Sequence, residues 1–256
     1  MLIIALIPVI ICVFIALQKK MSFLGGVQLS CVGTALSVLV VLVSIYLATG
    51  LDIVSASQES IRLALQQDPE YSKQLYLAVQ NILGSPADSQ ITSGAAIDAL
   101  YAYLEPGASY SIITALAAYI PLGGLVFYLI PRAIAKKAGA KVAYVPPFSK
   151  FRLPPKFGRW SVALLLVALV GQMAGLRNFD YVFVIAFAFF GSIYYVLGMA
   201  FMEWWLKRHI KSAAGRAAII ILIALLFIQL NIFIYVGIFE QLIKIRRRVE
   251  ENRSNS

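Results

Sequence analysis

Six long apolar runs, at residues 2–17, 24–49, 111–130, 160–176, 181–202 and 217–239, are separated by polar stretches of very unequal length. At about 1.5 Å per residue, a run of about 20 residues crosses a hydrocarbon layer of about 30 Å, and the first and fourth runs only just reach. Each run predicts a transmembrane helix. A β-barrel would instead show strands of roughly ten residues alternating in polarity, and these runs do not alternate. The longest polar stretch, 51–110, carries helix signals of its own. Asp68 followed by Pro69 makes an N-cap and N1 pair, and Tyr71, Leu75, Ala78, Val79 and Ile82 form an apolar stripe behind it. An earlier segment, 53–67, places Ile61 and Leu65 at similar spacing. Two amphipathic helices that lie on or cap the outer face are expected, because so short a pair has too little core to stand as a soluble domain.

Two runs carry further local signals. In the third, Pro121 and the pair Gly123-Gly124 predict a kink or an unwound turn. In the fifth, Ala188, Gly191, Tyr195, Gly198 and Met202 recur at three- and four-residue steps, a face of mostly small residues against which another helix can pack closely. The resulting organisation is a first hairpin at 1–50, an extra-cytoplasmic helical insertion at 51–110, and a four-helix membrane region at 111–256. The fold class is all-α, a polytopic transmembrane bundle of about six helices.

Composition agrees with this reading. The chain is 61% apolar and 13% charged with a mean hydropathy of +0.83, against about 45–50% apolar and about 25% charged in soluble domains. The first run lacks a basic leader and a small-residue cleavage site, so it reads as a retained helix and not as a signal peptide. Cys12 and Cys31 fall inside apolar runs as small packing residues and indicate no redox compartment.

Charge orients the helices. Arg132, Lys136, Lys137, Lys141, Lys150, Arg152, Lys156 and Arg159 separate the third and fourth runs without an acid among them. Lys19 and Lys20 follow the first run, and Lys207, Arg208, Lys211 and Arg216 follow the fifth. The positive-inside rule places these connections in the cytoplasm. The stretch 51–110 is acidic, with Asp52, Glu59, Asp68, Glu70, Asp88, Asp98 and Glu105 against Arg62 and Lys73, and belongs outside. The tail resists this scheme. Six crossings that begin outside end outside, yet Lys244, Arg246, Arg247, Arg248 and Arg253, beside Glu250 and Glu251, follow the last run; the reading takes the tail as an exception over a segment that fails to cross. The net charge of +10 flanks membrane segments, so anionic headgroups are the expected partner, at about 1 kcal/mol per surface cation, and nucleic acid is not.

Catalytic chemistry finds little support. His209 is the single histidine, set among cations beside two tryptophans, with Glu203 as its nearest acid. No zinc spacing, nucleophile elbow, phosphate loop or dinucleotide pattern occurs, so the expectation is a protein without catalytic residues, metal or cofactor. Polar side chains inside apolar runs are more informative, because lipid cannot satisfy them. Gln172, Gln229, Asn231, Glu203, Tyr194, Tyr195 and Tyr235 are the candidates, with Asn231 and Tyr235 on one face by their i, i+4 spacing. Two readings stay open: hydrogen bonds between helices, or a ligand pocket among the last three runs. Phe183, Phe187 and Phe190 divide in the same way, between core or lipid contact and a stacking wall for a flat ligand.

The stretch "IAKKAGAKVAYVPPFSKFRLPPKF" at 134–157 is a basic, glycine-containing linker that ends in Phe151, Arg152, Leu153 and Pro154. "GMA" follows at 198–200, and "GIFEQLIKIRRR" at 237–248 includes Gly237, Glu240, Arg246 and Arg247. These stretches resemble the YybS-like family of uncharacterised bacterial multi-pass membrane proteins, domain of unknown function 2232. The likeness covers about residues 111–248. Glu240 stands where that family usually has aspartate, Lys244 where it has a second acid, and Ile245 where it has Phe. The family is distantly like the substrate-binding subunits of energy-coupling-factor transporters. The resemblance implies a bacterial cytoplasmic (inner) membrane location more than an activity; the role expected from the polar and aromatic residues within the bundle is non-enzymatic small-molecule binding or transport. The alternatives are a scaffold or assembly protein that recruits a protein partner and, third, an intramembrane enzyme.

Overall fold

The computed structural model describes residues 2–82, 91–226 and 231–254. The protein is an all-α membrane fold: among the described residues it forms α1 (Leu2–Gln18), α2 (Phe23–Thr49), α3 (Ile53–Gln67), α4 (Pro69–Ile82), α5 (Ser93–Lys137), α6 (Pro155–Met173), α7 (Phe179–Leu206), α8 (Ala213–Leu226), α9 (Ile232–Ile243) and α10 (Ile245–Ser254), with a 3-10 turn at Phe148–Lys150. Four of these, α2, α5, α6 and α7, are long and apolar enough to cross a membrane. The chain forms two compact units, one of Met1–Ala5 and Val38–Ala115, the other of Leu6–Ser37 and Leu116–Ser256.

In the first unit, α3 and α4 begin where the sequence places them. The Asp52 carboxylate accepts the Val54 and Ser55 backbone N–H groups and the Ser55 hydroxyl, which hold its pKa below the usual carboxylate value. Asp68 accepts the Tyr71 N–H at 3.0 Å, with Pro69 as the first helical residue. The core of this unit is Leu65, Ile97 and Leu100, backed by Ile61, Leu75 and Val79. Ile97 and Leu100 belong to α5, which starts at Ser93 and not at the expected residue 111. Hydropathy missed this extension because Asp98, Glu105 and Ser109 interrupt the apolar run. Tyr71 and Ile82, placed on the stripe by spacing, are exposed.

In the second unit, α2 turns small residues inward. Gly26, Ser30, Gly33, Thr34 and Ser37 are buried, while Val32 and Leu36 face out. Ser30 and Thr34 donate to the carbonyls of Gly26 and Ser30, both at 2.9 Å, so these buried hydroxyls are satisfied within the helix. Close approach follows: a Cβ on Gly33 would meet Cys12 of α1, and one on Gly124 would meet the Cys31 backbone. Both cysteines are therefore packing residues. Of the kink or unwound turn expected at Pro121, the unwound turn does not occur. α5 is continuous through it, as transmembrane helices allow where neighbouring groups absorb the loss of one N–H.

The sixth apolar run is the main correction. It is not one continuous helix: among the described residues it holds α8 and α9, and α9, with 12 residues at about 1.5 Å each, is short of the roughly 30 Å hydrocarbon layer. Their direction is fixed by contacts with α7. Arg216, in the first turn of α8, pairs with Glu203 near the C-terminal end of α7 at 2.9 Å. Phe233, at the start of α9, lies against Tyr195 at mid-length of α7, with ring centroids 5.3 Å apart. α9 then runs parallel to α7, since Gly237 meets the Tyr194 carbonyl and Arg246 lies over the Phe201 ring. The run thus turns back on itself, and Asn231, with φ of 47°, starts the return in the left-handed conformation that Asn tolerates better than most residues. Its two ends lie at one end of this unit, which also holds the linker: Arg246 donates to the Ser149 carbonyl at 3.0 Å and Gln241 to the Leu153 carbonyl at 3.3 Å.

Candidate functional site

The linker after α5 is built by its glycine and prolines. Gly139, at φ of 83°, ends α5, with the Ala140 N–H returning to the Ala135 carbonyl. Proline fixes its own φ and holds the preceding residue extended, so Pro154 (ψ 140°) is extended before Pro155 opens α6, and Phe151 (ψ 122°) is extended ahead of it. That opening lies five residues ahead of the expected start at Trp160. Alternation follows from the extended backbone. Phe151 and Leu153 turn in, whereas Arg152 and Pro154 are exposed. Phe151 packs on Phe23 at 4.8 Å and on Phe148 at 5.3 Å between ring centroids.

This strap closes one side of a cleft of about 370 Å³. α2 supplies Val27 and Cys31, α5 supplies Pro121 and Leu125, and α7 supplies Ser192 and Val196. The wall is apolar almost throughout, with Gln28 and Arg152 as its larger polar side chains. Arg152 and Leu153 also line a second, smaller cavity of about 80 Å³ with Glu240, Gln241, Lys244 and Arg247.

The residues singled out from the sequence are distributed as follows. Phe151, Arg152, Leu153 and Pro154 all line the cleft. Tyr194 is fully buried beside it, its hydroxyl 2.6 Å from the Ser161 hydroxyl and donating to the Gly158 carbonyl at 3.2 Å, which joins α7 to α6. Tyr195 packs on Phe233. Glu203 is held by Arg216, whose other nitrogen donates to the Ile210 and Lys211 carbonyls. Gln172 sits in the last turn of α6 and is half-buried. Asn231 and Tyr235 are exposed and do not line the cleft. Gln229 lies outside the described residues. Gly237 lets α9 touch the α7 backbone, Arg247 borders the smaller cavity, and Glu240 binds Arg246 at 2.8 Å with both side chains buried. Phe183 and Phe187 stack at 5.8 Å, and Phe187 and Phe190 pack on the Tyr194, Leu197 and Ile234 core. His209 rests on Trp205, away from the Glu203 and Arg216 pair.

Sequence reasoning missed the α2 and α5 walls. The signal was present in the step Gly26, Ser30, Gly33, Thr34 and Ser37, a small-residue face like the one noticed on the fifth run.

The family described as "Predicted membrane protein (DUF2232)" matches residues 1–240, most of the chain and all the walls of the cleft. The chain belongs to the DUF2232 family. The match begins ahead of residue 111, where the motif resemblance was placed, and stops short of Arg246. No curated protein and no solved structure matches the chain. The chain is thus an integral membrane protein of this family, and the likeness to energy-coupling-factor subunits has no match behind it.

Proposed function

We propose that this protein is a non-enzymatic binding or transport component of the bacterial cytoplasmic membrane, which holds a small molecule in the cleft closed by the Phe151–Pro154 strap. The cleft is the observation that carries the reading. Its volume of about 370 Å³ falls within the roughly 300–1,000 Å³ of small-molecule sites, and its wall is largely apolar with few polar groups, as such sites are. The basic end of the second unit, with linker and tail together, faces the cytoplasm under the positive-inside rule. Anionic headgroups surround it there.

Thermal unfolding of the purified protein against a library of metabolites and lipids tests the reading. A ligand at a hundred times its Kd adds about 2.7 kcal/mol. At least one compound is expected to raise the Tm of the wild type and to do nothing for Val196→Trp or Val27→Trp, which fill the cleft. If no compound shifts the wild type, or if the shift persists in both filled variants, the cleft is not a binding site.

A further inference from the structure

Resting on the cleft being a binding site, we infer that its ligand is a hydrocarbon chain, the acyl chain of a bilayer lipid, which enters from the hydrocarbon layer and is held without recognition of its head. The polar atoms of the wall are already spent inside the protein. The Ser192 hydroxyl donates to the Phe189 carbonyl at 2.8 Å, and the Cys31 thiol to the Pro121 carbonyl at 4.0 Å. Pro121 and Pro154 have no N–H to offer. Arg152 already has a partner in the fold, and Gln28 is exposed. A charge or an amide placed in this space would give up its hydrogen bonds to water and find none in return. An empty cleft fares no better, since its lining forfeits dispersion contacts, and water needs several polar partners that the wall does not supply. The surroundings decide what fills it. Three of its walls, α2, α5 and α7, are long and apolar enough to cross a membrane. Two of the lining residues, Val32 on α2 and Leu122 on α5, are exposed, and both lie inside the apolar runs 24–49 and 111–130, not at their ends. The medium beside them in a bilayer is acyl chain. Toward the linker the strap shuts the cleft, with Phe151 buried against Phe23 and Phe148.

Photolabelling of the full chain in nanodiscs tests this, using phosphatidylcholine with a diazirine midway along one acyl chain and peptide mass spectrometry to locate the adducts. The wild type is expected to carry adducts at Cys31 and Leu125 inside the cleft as well as at the exposed Leu36 of α2. A phosphatidylglycerol probe with the same chain is expected to give the same yield at the cleft positions. Val27→Trp and Val196→Trp, which fill the space from two different helices, are each expected to lose the cleft adducts and keep the one at Leu36. Adducts at Leu36 with none in the wild-type cleft would overturn the inference; a water-soluble metabolite that still raised the Tm of the wild type and of neither filled variant would then leave the cleft reading standing with a different ligand. Cleft adducts that persist in both filled variants would place the probe outside the cleft and overturn the inference. Cleft labelling by the phosphatidylglycerol probe alone would make the head the determinant, and that too would overturn it.

Discussion

Arg246 is fully buried, with its Nε on Glu240, its Nη1 on the Ser149 carbonyl and, among the described residues, no partner for Nη2. One side chain therefore ties the start of α10 to α9 and to the linker. Removing one member of a buried pair leaves an uncompensated charge, at a cost of about 3–5 kcal/mol, while replacing both by apolar groups is often close to neutral. Arg246→Met is expected to destabilise the protein by that amount in detergent unfolding, and Glu240→Leu with Arg246→Met to recover most of it. A loss in the double variant equal to the sum of the losses in the two single variants would show that the pair contributes no coupling. The sequence marks both residues in its closing motif but not as partners. Six positions apart, they lie beyond the three- and four-residue spacing of helix neighbours, and they meet because Lys244 turns the chain at a φ of 57°.

At the scale of elements, the fifth run announced its close contact and the sixth concealed its course. The small face is where α9 packs: a Cβ on Gly198 would fall on the Phe233 carbonyl, and one on Gly237 on the Tyr194 carbonyl. Gly198→Ala and Gly237→Ala are each expected to cost about 1–3 kcal/mol by overpacking, against less than half that for Gly94→Ala, where a Cβ meets nothing within 4 Å. Equal effects in chemical denaturation would remove close packing as the cause. α4 was legible to the residue at its start because Asp68 writes the cap into the sequence, and the cap that Asp52 gives α3 was there to be read in the same way. The reversal between α8 and α9 was not, because hydropathy measures the length of an apolar run and carries no sign for its direction. Asn231 within that run was the visible mark, read as a polar face and not as a break.

For the whole molecule, the reversal removes the conflict between the tail and the positive-inside rule. With α8 and α9 returning to the end they left, the tail joins the linker through Arg246 and Ser149, and no exception is needed. Single cysteines at Tyr144, Arg248 and Gln66, all exposed positions, test this with an impermeant maleimide. Tyr144→Cys and Arg248→Cys are expected to stay unlabelled until cells are permeabilised, and Gln66→Cys to react in intact cells; Tyr144→Cys and Arg248→Cys on opposite sides would restore the sixth crossing. The strap was legible as a motif but its partners were not, since the walls from α2 and α5 lie about 90 residues apart in sequence, as Cys31 and Pro121 illustrate, and only folding brings them together. The most direct test of a binding cleft is a density map of the protein extracted with its native lipid. Continuous density that the protein chain does not account for is predicted between the strap and Val196. A cleft closed by its own side chains, or filled by a helix of a second copy, would contradict it.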